Sequence, residues 1–124
     1  MPFSEPESVA VANIFNNRNF IASISYHSFE GAIYWDLKQD DPIRTLTYNL
    51  AIHAQKVTGY KLGDVSPLKG LEYNWMIYEK RVPTIIIETG TVPCPLPYSQ
   101  WKTLWNKNKD IMISTAYMYR TTTE

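Results

Sequence analysis

A histidine and a glutamate close two apolar stretches of different character. His27 ends the alternating run Phe20-Ile21-Ala22-Ser23-Ile24-Ser25-Tyr26, and Glu88 ends the nearly unbroken apolar run Val82-Pro83-Thr84-Ile85-Ile86-Ile87. An imidazole can bind a divalent cation through its uncharged nitrogen or carry a proton. A carboxyl group placed after three isoleucines is partly desolvated, which raises its pKa toward the range useful for acid-base work. Together the two residue types point to hydrolysis by an activated water. Where that water sits on zinc, about three protein ligands hold the ion and a carboxylate handles the protons. His27 and Glu88 supply only part of such a set.

Other residues compete for the same chemistry. His27-Ser28-Phe29-Glu30 spells His-x-x-Glu, so His27, Glu30 and His53 with Glu88 as base could form a compact zinc site. Short motifs of this kind match often by chance. His53 falls on an apolar helical stripe and reads better as a core-edge histidine with a hydrogen-bond partner. The bland alternative for His27 is a strand-end histidine bonded to a neighbour, and for Glu88 an ion pair with Arg81 or Lys61. Cys94, alone in a proline-rich turn, excludes an internal disulfide and reads as a small packing residue without chemistry. Trp101, Trp105 and Tyr119 are spaced as the core face of a helix, not as a ligand platform.

With 124 residues, of which 44% are hydrophobic, the chain predicts one folded unit over residues 1–124. Lys plus Arg and Asp plus Glu number 12 each, which gives no electrostatic reason to expect nucleic acid or an anionic membrane as partner. No apolar run approaches the ~20 residues of a membrane span, and the opening residues lack the pattern of a secretory signal. Compartment is left undecided.

The elements that must position the pair follow from pattern. Ser4-Glu5-Pro6-Glu7 predicts a capped helix to about Phe15, and Phe20 to Tyr26 a half-buried strand with His27 at its C-terminal end. Ala32 to Trp35 reads as a further short strand. Asp41-Pro42 opens a helix with Ile43, Leu46, Leu50, His53 and Val57 on its inner stripe, stopped by Gly59. Tyr60 to Gly70 reads as a loop and Leu71 to Lys80 as a short helix. The β-branched run at Val82 to Ile87 predicts a strand covered on both faces and in need of neighbours on both sides. Tyr98, Trp101, Trp105, Met112 and Tyr119 then mark the inner face of a terminal helix. The order implies a layered α/β fold, a mixed sheet with helices on both faces. Two or three strands make a narrow sheet, consistent with part of a larger one or with a homo-oligomer.

Several of these segments stand in the order found in one family. Phe3-Ser4-Glu5-Pro6-Glu7 precedes Ile24-Ser25-Tyr26-His27-Ser28-Phe29. Thr58-Gly59-Tyr60-Lys61, Tyr73-Asn74-Trp75, Thr84-Ile85-Ile86-Ile87-Glu88-Thr89-Gly90 and Leu96-Pro97-Tyr98-Ser99-Gln100 follow. The series resembles the C-terminal half of the zinc carboxypeptidases, the carboxypeptidase A-like metallopeptidases. The resemblance implies His27 as the last zinc ligand, Glu88 as general base and then acid, Ser28 beside them in the cleft, and Tyr73 where the substrate side chain is selected. It also implies zinc as cofactor and a peptide as substrate. The family's His-x-x-Glu ligand motif and its carboxylate-binding Asn and Arg belong to an N-terminal half absent from these residues. The stretch Val65 to Gly70 lacks the family's mobile tyrosine, which leaves room for its cell-wall peptide and amidase branches. The expectation is therefore the C-terminal part of a larger zinc-dependent carboxypeptidase-like enzyme that hydrolyses amide bonds. The alternative is a non-catalytic fragment or an oligomerising interaction module.

Overall fold

The structure, a computed structural model, describes residues 3–63 and 71–120. Helix α1 (Pro6–Asn16) is followed by strands β1 (Ser23–Ser28) and β2 (Ala32–Tyr34), and helix α2 (Ile43–Thr58) by strand β3 (Lys61–Leu62). Helix α3 (Glu72–Tyr78) precedes β4 (Thr84–Thr89), and a 3-10 turn at Tyr98–Gln100 leads into α4 (Trp101–Asn108) and α5 (Ile111–Arg120). The four strands form one mixed sheet in the order β1-β4-β2-β3. β4 runs parallel to β1 and antiparallel to β2, and β2 runs parallel to β3.

The most apolar strand thus lies in the interior, as its composition requires. Ile85 and Ile87 point to one face of the sheet, where they join Ile33, Leu50, Ala51, Ala54 and Ile111 in a fully buried cluster beneath α2 and α5. Ile86 points to the other face, against Ile43, Tyr73 and Ile77. Alternation of side chains along β4 therefore feeds two separate core layers from three consecutive residues. The layered α/β arrangement expected from the element order is the one observed.

Helix α2 illustrates a phase difference between expected and observed burial. Its buried line is Ile43, Thr47, Leu50, Ala51, Ala54 and Thr58, while Leu46 is exposed. The small side chains Ala51 and Ala54 allow a close approach to the sheet. Thr47 and Thr58 tolerate burial because each hydroxyl donates to a carbonyl one turn back, Ile43 O and Ala54 O, both at 2.8 Å. Gly59 ends the helix as expected: it adopts φ 71°, and its N–H donates to Gln55 O at 2.9 Å.

Helix α1 starts where expected, but without the capping box. Glu5 occupies the N-cap with no side-chain cap, and the Ser4 hydroxyl donates to Glu5 Oε1 instead. At α3 the Asn74 side chain does that work, accepting from the Leu71 N–H at 3.0 Å. The strand β3 was not anticipated within the loop expected from Tyr60 to Gly70, and residues 64–70 of that loop lie outside the described residues.

The C-terminal region departs most from expectation. The chain does not continue as one helix through Lys109 and Asp110, so the phase of the aromatic series is reset between α4 and α5. Tyr98 is 88% exposed and Trp101 and Trp105 are about half exposed, at 55% and 52%, stacked on each other with ring centroids 5.7 Å apart. The buried positions of α5 are Ile111 and Thr115. Removing an interior side chain should cost far more than removing an exposed ring. Ile87→Ala is expected to destabilise the fold by about 2–5 kcal/mol and Trp105→Ala by less than about 1 kcal/mol, read by urea unfolding.

Candidate active site

Parallel pairing sets the geometry of the candidate site. The register places Ser23 beside Thr84, Ser25 beside Ile86 and His27 beside Glu88. Because side chains alternate, these six share the face to which Ile86 points, the face packed by α3. On the other flank of Glu88 the antiparallel partner is Ala32, too small to compete for the space. His27 and Glu88 thus meet near the C-terminal ends of two parallel strands, the edge where open α/β sheets bind ligands. Gly90 turns the chain away immediately afterwards with φ 85°, and a Cβ there would lie 2.7 Å from the Leu96 side chain.

The carboxyl group of Glu88 is only partly solvated. Its Oε2 is buried and has no hydrogen-bond partner among the described residues. Burial pushes its pKa above the ordinary glutamate value, the charge of Glu30 adds to the rise, and His27 opposes it. The ion pair considered from sequence does not form with Arg81, whose guanidinium donates to both oxygens of Asp40 at 2.8 and 3.0 Å. A proton-accepting group without a fixed cation is what water activation requires.

His27 itself is exposed, at the rim. Its Nε2 lies 3.4 Å from Ser25 Oγ, and its carbonyl accepts from the Thr89 hydroxyl at 3.0 Å, which ties β1 to the end of β4. Ser28 follows and accepts from Cys94 Sγ at 3.1 Å. Cys94 is therefore an exposed neighbour of the site and not the packing residue expected. Beneath His27, Glu72 of α3 receives a hydrogen bond from Ser23 Oγ at 3.4 Å. Burial raises the Glu72 pKa, while Ser23, His27 and Ser25 pull it back.

The structure brings together His27 and Glu88, while Ser28 pairs with Thr89 and by alternation faces the other side of the sheet. It does not bring in Tyr73, whose ring is buried in the core with Ile43, Ile77 and Ile86 and whose hydroxyl has no hydrogen-bond partner among the described residues. Burial pushes the Tyr73 pKa well up. The compact zinc site does not assemble either. His53 lies on α2, on the opposite side of the sheet, with Nε2 3.0 Å from Ser114 Oγ, and burial lowers its pKa. Glu30 accepts from the Tyr34 hydroxyl. Among the described residues no group of three or more His, Cys, Asp or Glu side chains could hold a metal ion. Ser25 and Glu72 were not anticipated. Ser25 was detectable by its two-residue spacing from His27, whereas Glu72 reaches the site only through tertiary packing.

No protein-family model matches the chain. The chain is similar to a curated endopeptidase. Gamma-D-glutamyl-L-diamino acid endopeptidase 1 of Lysinibacillus sphaericus is 26% identical to it over 118 residues, which cover 94% of this chain and 29% of that protein. The chain therefore spans less than a third of the relative's length. This similarity corrects the zinc carboxypeptidase expectation. The relative is named for endopeptidase action at a γ-D-glutamyl-L-diamino acid unit, not for release of a C-terminal residue. The physical reason the resemblance overreached is local. Its segments carry an imidazole and a carboxylate, residue types that amide hydrolases of many kinds can use, and none of the groups that would bind a free C-terminal carboxylate. The comparisons lend no support to the non-catalytic, oligomerising alternative.

The raised pKa of Glu88 has a thermodynamic sign. A carboxyl group whose pKa is higher in the folded chain favours folding fully below its unfolded value, about 4.3, and loses that contribution as pH rises through the folded value. Above the folded value the ionised Glu88 therefore opposes folding. Glu88→Gln is expected to raise the melting temperature at pH 7 and to give no gain at pH 4 or below. Thermal unfolding of both proteins at the two pH values checks this, and an equal gain at both would trace the effect to packing.

Proposed function

We propose that the chain contributes to a hydrolase that cleaves amide bonds in peptides, with Glu88 as the group that takes a proton from the attacking water and returns it to the leaving amine. The observation that carries this reading is the register of His27 with Glu88 at one edge of the sheet, with one Glu88 oxygen buried and unpaired. A carboxyl group in that state holds a proton at higher pH than an exposed one, which favours its acting in turn as acceptor and donor.

The substrate class is taken from the relative. A γ-D-glutamyl bond to a diamino acid, cleaved within a longer peptide, is the proposed target. Such a bond is an amide like any other in its need for an activated water and a protonated leaving amine.

Zinc enters only as a proposal for a longer polypeptide. His27 offers an imidazole, but three or four ligands are needed, and the described residues contain no such group. The residues present do not fit the ion by themselves, and the proton chemistry assigned to Glu88 is stated without it.

The test is hydrolysis of a synthetic peptide with an internal γ-D-glutamyl-L-lysyl bond, followed by product separation. Glu88→Gln is expected to lower turnover by about 100-fold or more while the fold is retained. Unchanged turnover in Glu88→Gln would remove Glu88 from the reaction. Cleavage confined to peptides with a free C-terminal lysine would overturn the endopeptidase assignment. Metal content measured on the same preparations, with and without chelator, tests zinc separately.

A further inference from the structure

A second carboxyl group shares the sheet edge with Glu88. Glu30 lies in the bend between β1 and β2, just ahead of Gly31 and Ala32, and Ala32 is the residue paired with Glu88. Tyr34, two residues further along β2, pairs with Ile86 and packs on the same apolar cluster as Ile86. Its ring therefore lies on the face that carries Glu88 and His27. The Tyr34 hydroxyl donates to Glu30 Oε2, so the two side chains meet across Ala32. This holds the Glu30 carboxyl group on the flank of Glu88 opposite His27, since β1 and β2 border β4 on different sides. Gly63 makes room for the arrangement: a Cβ there would lie 2.7 Å from the Tyr34 ring.

Glu30 is exposed, and no cation of the described residues is paired with it. The two ion pairs among those residues join Arg44 to Asp36 and Arg81 to Asp40. Lys61, set beside Ala32 by the register of β3, is in neither. An ionised carboxylate only accepts, and the Tyr34 phenol fills one of its acceptor positions while fixing its direction. The other acceptor positions are left for a donor from outside the chain. The charge of Glu30 adds to the raised pKa of Glu88, in keeping with two carboxyl groups on neighbouring positions.

The amide proposed for cleavage joins a γ-D-glutamyl group to a diamino acid. The amine that receives the proton from Glu88 belongs to that diamino acid, so its side chain starts beside Glu88. Its second amino group, an aliphatic amine with a pKa of about 10.4, is an ammonium ion at neutral pH, with three donors and no acceptor. A directed carboxylate without a cation is its complement, and a bond between the two is charge-assisted.

We propose that Glu30, oriented by the Tyr34 hydroxyl, is a specificity-determining residue that binds the side-chain ammonium group of the diamino acid whose other amine leaves. The proposal deepens the hydrolase reading and rests on Glu88 acting at the scissile amide. Glu30 takes no part in the proton transfers. It selects the residue on the leaving side by charge, and the hydrogen bond across Ala32 makes that selection a property of β2.

The test compares two peptides that differ in that charge, one with an internal γ-D-glutamyl-L-lysyl bond and one with L-norleucine in place of lysine. The full chain is expected to cleave the lysyl peptide with kcat/KM about 10–100-fold higher, most of the difference lying in KM. Glu30→Gln is expected to abolish the preference, Tyr34→Phe to weaken it, and Glu30→Lys to reverse it. Loss of the Glu30 charge also acts on Glu88, but for both peptides alike, so the ratio of the two isolates recognition. Cleavage of both peptides without preference, or the native preference kept in Glu30→Gln, overturns the proposal and leaves the hydrolase reading standing. If neither peptide is cleaved, titration followed by backbone amide shifts reads binding directly. Tighter binding of the lysyl peptide that is lost in Glu30→Gln would then uphold the recognition role and sink the hydrolase reading, and equal binding of the two peptides would sink both.

Discussion

Everything in this fold depends on how three consecutive isoleucines are buried. Ile85, Ile86 and Ile87 need apolar cover on both faces of β4 and backbone partners on both edges, since unpaired amide groups beside them would be costly. Helices α2 and α5 cover one face and α3 the other, while β1 and β2 satisfy the edges. The same arrangement carries Glu88 to the point where cover runs out. One oxygen of its carboxyl group is still sealed, and the next turn, at Gly90, leads the chain away.

The electrostatics of the site follow from that placement. Two carboxyl groups, Glu88 on the neighbouring strand and Glu72 on α3, flank His27, and burial raises the pKa of both. Two guanidinium groups form ion pairs toward the other end of β4, Arg44 with Asp36 and Arg81 with Asp40, and both hold those aspartates below the usual carboxylate range. Glu72 accepts from Ser23 at the inner end of the polar row of β1, and the charge of His27 opposes the rise in its pKa.

The similarity to an endopeptidase extends over nearly all of this chain but less than a third of the relative. A histidine beside a half-buried glutamate is compatible with amide hydrolysis in general, and it does not select between internal and terminal bonds. That selection depends on groups that bind the substrate on either side of the scissile amide. The segments that resemble zinc carboxypeptidases are helix starts, strands and turns, which explains why they carried fold information better than they carried specificity.

The elements themselves were legible locally. Alternation from Phe20, the β-branched run before Glu88, and Gly59 as a helix stop depend on steric and propensity effects of neighbouring residues; the helix stop falls where expected, and both strands form but lie further along, at Ser23–Ser28 and Thr84–Thr89. Residue order also placed His27 and Glu88 near the C-terminal ends of those strands. What only the tertiary structure decided is which faces met. Strand pairing brought His27 into register with Glu88, the rotation of α2 exposed Leu46 and buried Thr47, and the break before Ile111 left Trp101 and Trp105 outside. Packing also sank Tyr73 into the core and laid Glu72 against Ser23. These outcomes depend on contacts between residues dozens of positions apart, for which local periodicity contains no term, so the sequence by itself named the candidate groups and the fold decided their company.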